Sequence, residues 1–113
     1  MDFSVRDMRA AQKTSVRTYK DDVKKQISLY LKNHAKDFPY VSKLTIVFAD
    51  ENKKDEIRLE RSCVFFISKA IFNEEMFDEI AHWLAAMGYM TRKHWFGGQN
   101  TQNGEIASIS LSW

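Results

Sequence analysis

Along the first third of the chain, apolar residues fall at Val16, Tyr19, Val23, Ile27, Tyr30 and Leu31, mostly in steps of three and four. That spacing lines one face of a helix, because 3.6 residues complete a turn. Val5 and Met8 extend the same face upstream, and no Gly or Pro interrupts residues 4–37. The segment reads either as one long helix or as two. In the second case the restart falls at Thr14-Ser15, whose hydroxyls can cap a helix, and residues 1–15 form a separate or mobile helical segment. "DFPY" ends the pattern, since Pro39 cannot continue a helix and disfavours helical geometry at Phe38.

The period then changes. "SKLTIVFA" (42–49) is β-branched and aromatic and predicts a strand. "DENKKD" (50–55) is a polar turn. "EIRLERSCVFFISK" (56–69) alternates at first and becomes a solid apolar run from Cys63 to Ile67, which suits a strand covered on both faces. The two strands read as an antiparallel hairpin with a bulge near Arg61-Ser62.

Asn73 is a good N-cap, with Glu74 and Glu75 in the first turn, where acids favour the helix dipole. Phe77, Ile80, Leu84 and Met87 form the buried stripe of a helix over 74–87, and Gly88 takes the left-handed C-cap place. "YMTRKHWF" (89–96) reads as a strand, "GGQNTQNGE" (97–105) as a flexible loop and "IASISLSW" (106–113) as the last strand. In that strand Ala107, Ile109, Leu111 and Trp113 point one way and Ser108, Ser110 and Ser112 the other.

The order is helix, hairpin, helix, hairpin (αββαββ). The economical packing is an α+β fold: a four-stranded, mostly antiparallel sheet with both helices on one face. Trp113 then serves as the last buried anchor of the sheet.

Composition narrows the class. The 113 residues make one domain, and 44% hydrophobic with 28% charged residues is a globular composition, not a disordered one. Cys63 is the single cysteine, so no intrachain disulfide forms and a reducing compartment is expected. The N-terminus has no apolar signal core, and no apolar run approaches the ~20 residues that span a bilayer. These features lead to a soluble, cytoplasmic protein with no membrane partner.

The net charge of +2 hides an uneven distribution. Residues 1–37 hold nine Lys/Arg against five Asp/Glu, whereas 73–82 hold four acids and no Lys or Arg. One helix is therefore basic and the other acidic.

Candidate chemistry is sparse. His34, His82 and His94 lack metal-ligand spacing, so no metal site is expected. Cys63 opens an apolar strand, where a thiol is a small inert core residue rather than a nucleophile. The charged turn "DENKKDEIRLER" has no distinctive spacing. No phosphate-cradling, dinucleotide or metalloprotease motif is present. No catalytic residue and no cofactor are expected.

Two surfaces stand out instead. Lys13, Arg17, Lys20 and Lys24 recur in steps of four, three and four, and form a basic stripe directly beside the apolar one, with Arg6 and Arg9 upstream. Such a stripe can track phosphates, be simply solvated, or serve a helix–helix interface in which lysine stems cover apolar surface. An acidic second helix of another copy is one such partner. The other surface is "RKHWF", where Arg92, Lys93, His94 and Trp95 mix cations with aromatics beside a loop. That mixture can stack bases or dock a partner. Alternation should turn one of Trp95 and Phe96 outward.

The plan resembles that of small accessory proteins of tailed bacteriophages. The likeness lies in the N-terminal "RDMRAAQK", in "LAAMGY" at the end of the second helix, and in the closing "ISLSW". It covers the ends of the chain better than the middle, and "CVFFISKAIF" has no place in it. What it implies is a non-enzymatic protein that binds and modulates a host macromolecule, chiefly a host protein, in an infected bacterial cytoplasm. The alternative is a nucleic-acid-binding protein that uses the basic helix and the Arg92–Phe96 strand. A homodimer fits either reading.

Overall fold

The computed structural model describes residues 3–53, 63–68, 70–96 and 105–113. Helix α1 (Val5–Asp37) is a single uninterrupted helix of 33 residues. Ser4 caps it: its side chain accepts from the Asp7 amide, and the Asp7 carboxylate accepts the Ser4 amide in return. This reciprocal box satisfies two amides that would otherwise lack partners. Thr14 causes no restart, because its hydroxyl donates to the Ala10 carbonyl one turn earlier (3.0 Å).

Strand β1 (Lys43–Asp50) leads into a 3-10 turn (Glu51–Lys53), in which Asp50 accepts the Asn52 amide at 3.0 Å. Strand β2 (Val64–Ile67), helix α2 (Glu74–Ala86), strand β3 (Met90–Trp95) and strand β4 (Glu105–Ser112) follow. The sheet order is β2-β1-β4-β3. β4 pairs antiparallel with both β1 and β3. The class is α+β, with two helices and a mixed four-stranded sheet.

One expectation is corrected. β1 and β2 pair in parallel, Val47 opposite Val64 and Asp50 opposite Ile67, and do not form an antiparallel hairpin. Residues 51–63 give the dozen or so residues that a parallel return needs. The bulge expected at Arg61-Ser62 lies outside the described residues. A register shift does occur in β4: Phe48 faces Ala107 but Ala49 faces Glu105, which leaves buried Ile106 as the extra residue.

The register puts Leu44, Ile46, Phe48, Phe65, Ile67, Ala107, Ile109 and Leu111 on the face covered by the helices, and all are buried. α1 adds Val23 and Ile27, and α2 adds Met76, Phe77, Ile80, Ala81 and Leu84. Phe48 is the hub of the aromatics, with ring centroids 5.0 Å from Phe72, 5.9 Å from Phe65 and 6.0 Å from Phe77.

Trp113 is the second correction. It follows the end of β4 and is 51% exposed. Its amide donates to the Ser42 carbonyl (3.1 Å), and its ring meets His34 and Tyr89 edge-on at 5.4 and 5.7 Å. It is a half-open lid on the C-terminal ends of the helices and not a core anchor, because no element covers its outer side among the described residues.

Candidate functional site

α1 is about 50 Å long at 1.5 Å per residue, far longer than the four-to-eight-residue strands beneath it. Only its second half lies on the body. Burial begins at half-buried Tyr19 and runs through Val23 and Ile27 to Tyr30, which meets Phe65 edge-on at 5.0 Å. The Tyr19 hydroxyl accepts the Ser68 amide at 3.4 Å. Every residue from Phe3 to Thr18 is exposed. The segment Val5–Thr18 is thus a helical arm. The radius of gyration is 15.8 Å, against about 13 Å for a compact domain of this length.

The arm is amphipathic even though nothing among the described residues covers it. Val5, Met8 and Val16 continue the stripe that Tyr19, Val23 and Ile27 bury farther on, and they are 68%, 48% and 42% exposed. Arg6, Arg9, Lys13 and Arg17 form the adjoining stripe. Among the described residues none of these four pairs with a carboxylate. Asp7, tied to the Ser4 cap, is the single acid of the arm.

The expected basic stripe is therefore divided by the fold. Lys20 and Lys24 are committed to α2: Lys20 pairs with Glu79, and the Lys24 ammonium sits 5.5 Å from the centre of the Trp83 ring. Lys13 and Arg17 remain open to solvent beside Arg9, Gln12 and Val16, with which they line a shallow groove. The Lys20 ammonium holds the Glu79 carboxyl below its ordinary range by hydrogen bonding and charge.

α2 presents the opposite charge. Asn73 caps it, accepting the Met76 amide at 2.9 Å. The outer face carries Glu74, Glu75, Asp78, Glu79 and His82 along a broad, shallow concavity. Asp78 accepts from Lys93 of β3 at 3.0 Å.

The strand "RKHWF" does not present its residues together. Lys93 and Trp95 face the helices, where Trp95 packs on Phe77 at 5.5 Å and on Phe72 at 6.2 Å. Arg92 and His94 occupy the other face of the sheet, where His94 stacks against Phe96 (6.5 Å, 14°). Alternation separates Arg92 and His94 from Lys93 and Trp95 by the thickness of the sheet.

A cleft that the sequence did not reveal lies where both helices end. Phe38, Val41, Met87, Tyr89 and Trp113 line it, with a volume near 410 Å³. His34 donates from Nε2 to the Val41 carbonyl beneath it (3.1 Å). Its residues come from three distant stretches, so no local motif could signal it.

Catalytic geometry is thin. Cys63 is buried, and burial pushes its thiol up to about 12, which suppresses the reactive thiolate. Among the described residues no three His, Cys, Asp or Glu side chains converge as a metal ion would require, and no helix is long and apolar enough to cross a membrane. The chain matches no family model, no curated protein and no solved structure.

Proposed function

We propose that this chain is a non-enzymatic binding protein whose α1 arm docks onto a macromolecular partner, and that the partner is a protein. One observation carries the reading: the apolar stripe of α1 continues for about 20 Å beyond the body with no cover from the described residues, at exposed Val5, Met8 and Val16. Exposed apolar side chains in register with a buried stripe have the pattern of an amphipathic helix that fills a groove. Arg6, Arg9, Lys13 and Arg17 beside it, which pair with no carboxylate among the described residues, favour an acidic rim on the partner and speed encounter.

The phage-type resemblance makes a host protein of the bacterial cytoplasm the expected partner class, with modulation of that protein as the outcome. The second reading, nucleic-acid binding, draws on the same four unpaired cations. It is weaker because a phosphate backbone gives no use to Val5, Met8 and Val16, and because Glu74 and Glu75 add negative charge on the neighbouring helix.

The test is capture from bacterial lysate, with and without nuclease, by the full chain and by a chain lacking residues 1–17. A protein retained after nuclease treatment by the full chain alone supports the proposal. Retention by both chains, or loss of all material on nuclease treatment, refutes it.

A further inference from the structure

The two charged helices of this chain complement each other, and within one molecule only half of that complementarity is used. Lys20 pairs with Glu79 and Lys24 lies over Trp83, so the C-terminal half of the basic stripe is already mated to α2. The N-terminal half, Arg9, Lys13 and Arg17, offers the same chemistry and meets no carboxylate among the described residues. On α2, Glu74 and Glu75 pair with no cation among the described residues. We propose that the arm of one chain docks antiparallel along the outer face of α2 in a second copy, reciprocally, so that the site is complete only in the dimer. This rests on the reading of the arm as a docking element.

The dimensions agree. The arm Val5–Thr18 and the helix Glu74–Ala86 are each about 20 Å long. The graded chemistry of α2 and the apolar tip of the arm set the direction. The acids of α2 crowd its first half, whereas its second half ends in Ala86, Met87 and the apolar cleft under Trp113. The arm carries cations along its whole length, at Arg6, Arg9, Lys13 and Arg17, and has exposed Phe3 and Val5 at its far end. Laid antiparallel, Lys13 and Arg17 reach the partner's Glu74 and the partner's Glu75, and Phe3 and Val5 reach the partner's cleft. Antiparallel helix dipoles favour the same direction. Parallel docking would place Phe3 and Val5 among carboxylates.

Two arms packed on each other would bring like charges together, which disfavours that alternative.

Charge reversal tests this directly. The wild type at high micromolar concentration and low salt should sediment at twice the chain mass of 13.3 kDa, and should dissociate as salt is raised. K13E/R17E alone and E74K/E75K alone should each sediment as monomers. Their equimolar mixture should return to the dimer, because one arm of the mixed pair then meets reversed charges and the other meets wild-type ones. Should a reversal unfold the chain, as judged by circular dichroism, the milder Lys13→Gln/Arg17→Gln chain replaces it, with self-association weakened roughly tenfold. A wild type that stays monomeric, a dimer that survives K13E/R17E, or a mixture of the two reversals that stays monomeric overturns the proposal. An arm that shifts a nucleic-acid oligomer while the chain stays monomeric also overturns it. A monomeric chain whose arm still captures a bacterial protein removes the second copy as occupant and leaves the docking role of the arm standing.

Discussion

Phe48 has no exposed surface and touches three other aromatic rings, so its loss would leave a cavity that its neighbours cannot fill. Phe48→Ala should cost ~3–5 kcal/mol, a large share of the ~5–15 kcal/mol that holds a domain of this kind together. Trp113 contrasts with it. At 51% exposed it should cost only ~1–2 kcal/mol on truncation to Ala, about what edge-on ring contacts and partial burial supply. Chemical denaturation of both variants checks the ranking, and equal losses would put Trp113 back in the core. Cys63 should resist a thiol reagent in the folded chain and react promptly in denaturant, because its thiol is raised from 9.0 to about 12 by burial. Rapid labelling of the native protein would contradict that. Glu79 gives a pH dependence. Its carboxyl is held below the ordinary 4.5 by Lys20. Its contribution is therefore fully present above the unfolded value and is lost as pH falls through the lower folded value. Lys20→Gln should remove that part of the acid sensitivity, seen as a shallower fall of melting temperature in acid.

Among the elements, α2 was the most legible from sequence, because both its ends carry local signals. Asn73 accepts the Met76 amide at the start. At the end Gly88 takes φ +103°, its amide donates to the Ala85 carbonyl, and the Tyr89 amide donates to the Leu84 carbonyl, a closure that needs a left-handed residue. Gly88→Ala meets no atom within 4 Å, so its expected cost of ~1–2 kcal/mol is backbone strain and not a clash. A thermal melt should show a drop of several degrees, and an unchanged melt would mean that the turn relaxes freely. The direction of β2 was not legible. Alternation and β-branching mark a strand without saying which way it runs, and "CVFFI" satisfies either pairing. The parallel choice is a tertiary matter, set by how β2 meets β1 and not by local sequence. In α1 the apolar spacing was readable throughout, but it could not tell covered from uncovered positions. Val16 and Val23 look alike in sequence and differ in structure, because the sheet lies under one and not the other.

At the scale of the molecule, the candidate site was half readable. The basic stripe was visible as spacing, and the acids of α2 as composition. Their division into mated Lys20 and Lys24 and unmated Lys13 and Arg17 required the position of α2 beside α1. The cleft under Trp113 required the joining of three distant segments. The central claim is that residues 5–18 are a docking arm without intramolecular cover. Amide hydrogen exchange along α1 tests it most directly, since a helical segment of that length without tertiary support is marginal in water. In dilute chain at high salt, where charged docking is screened, amides of residues 9–18 should exchange far faster than those of 23–34. On complex formation the arm amides should become protected while those of 23–34 change little. Uniformly slow exchange from 9 to 34 in the dilute chain would contradict the account, because the arm would then already be covered by its own molecule.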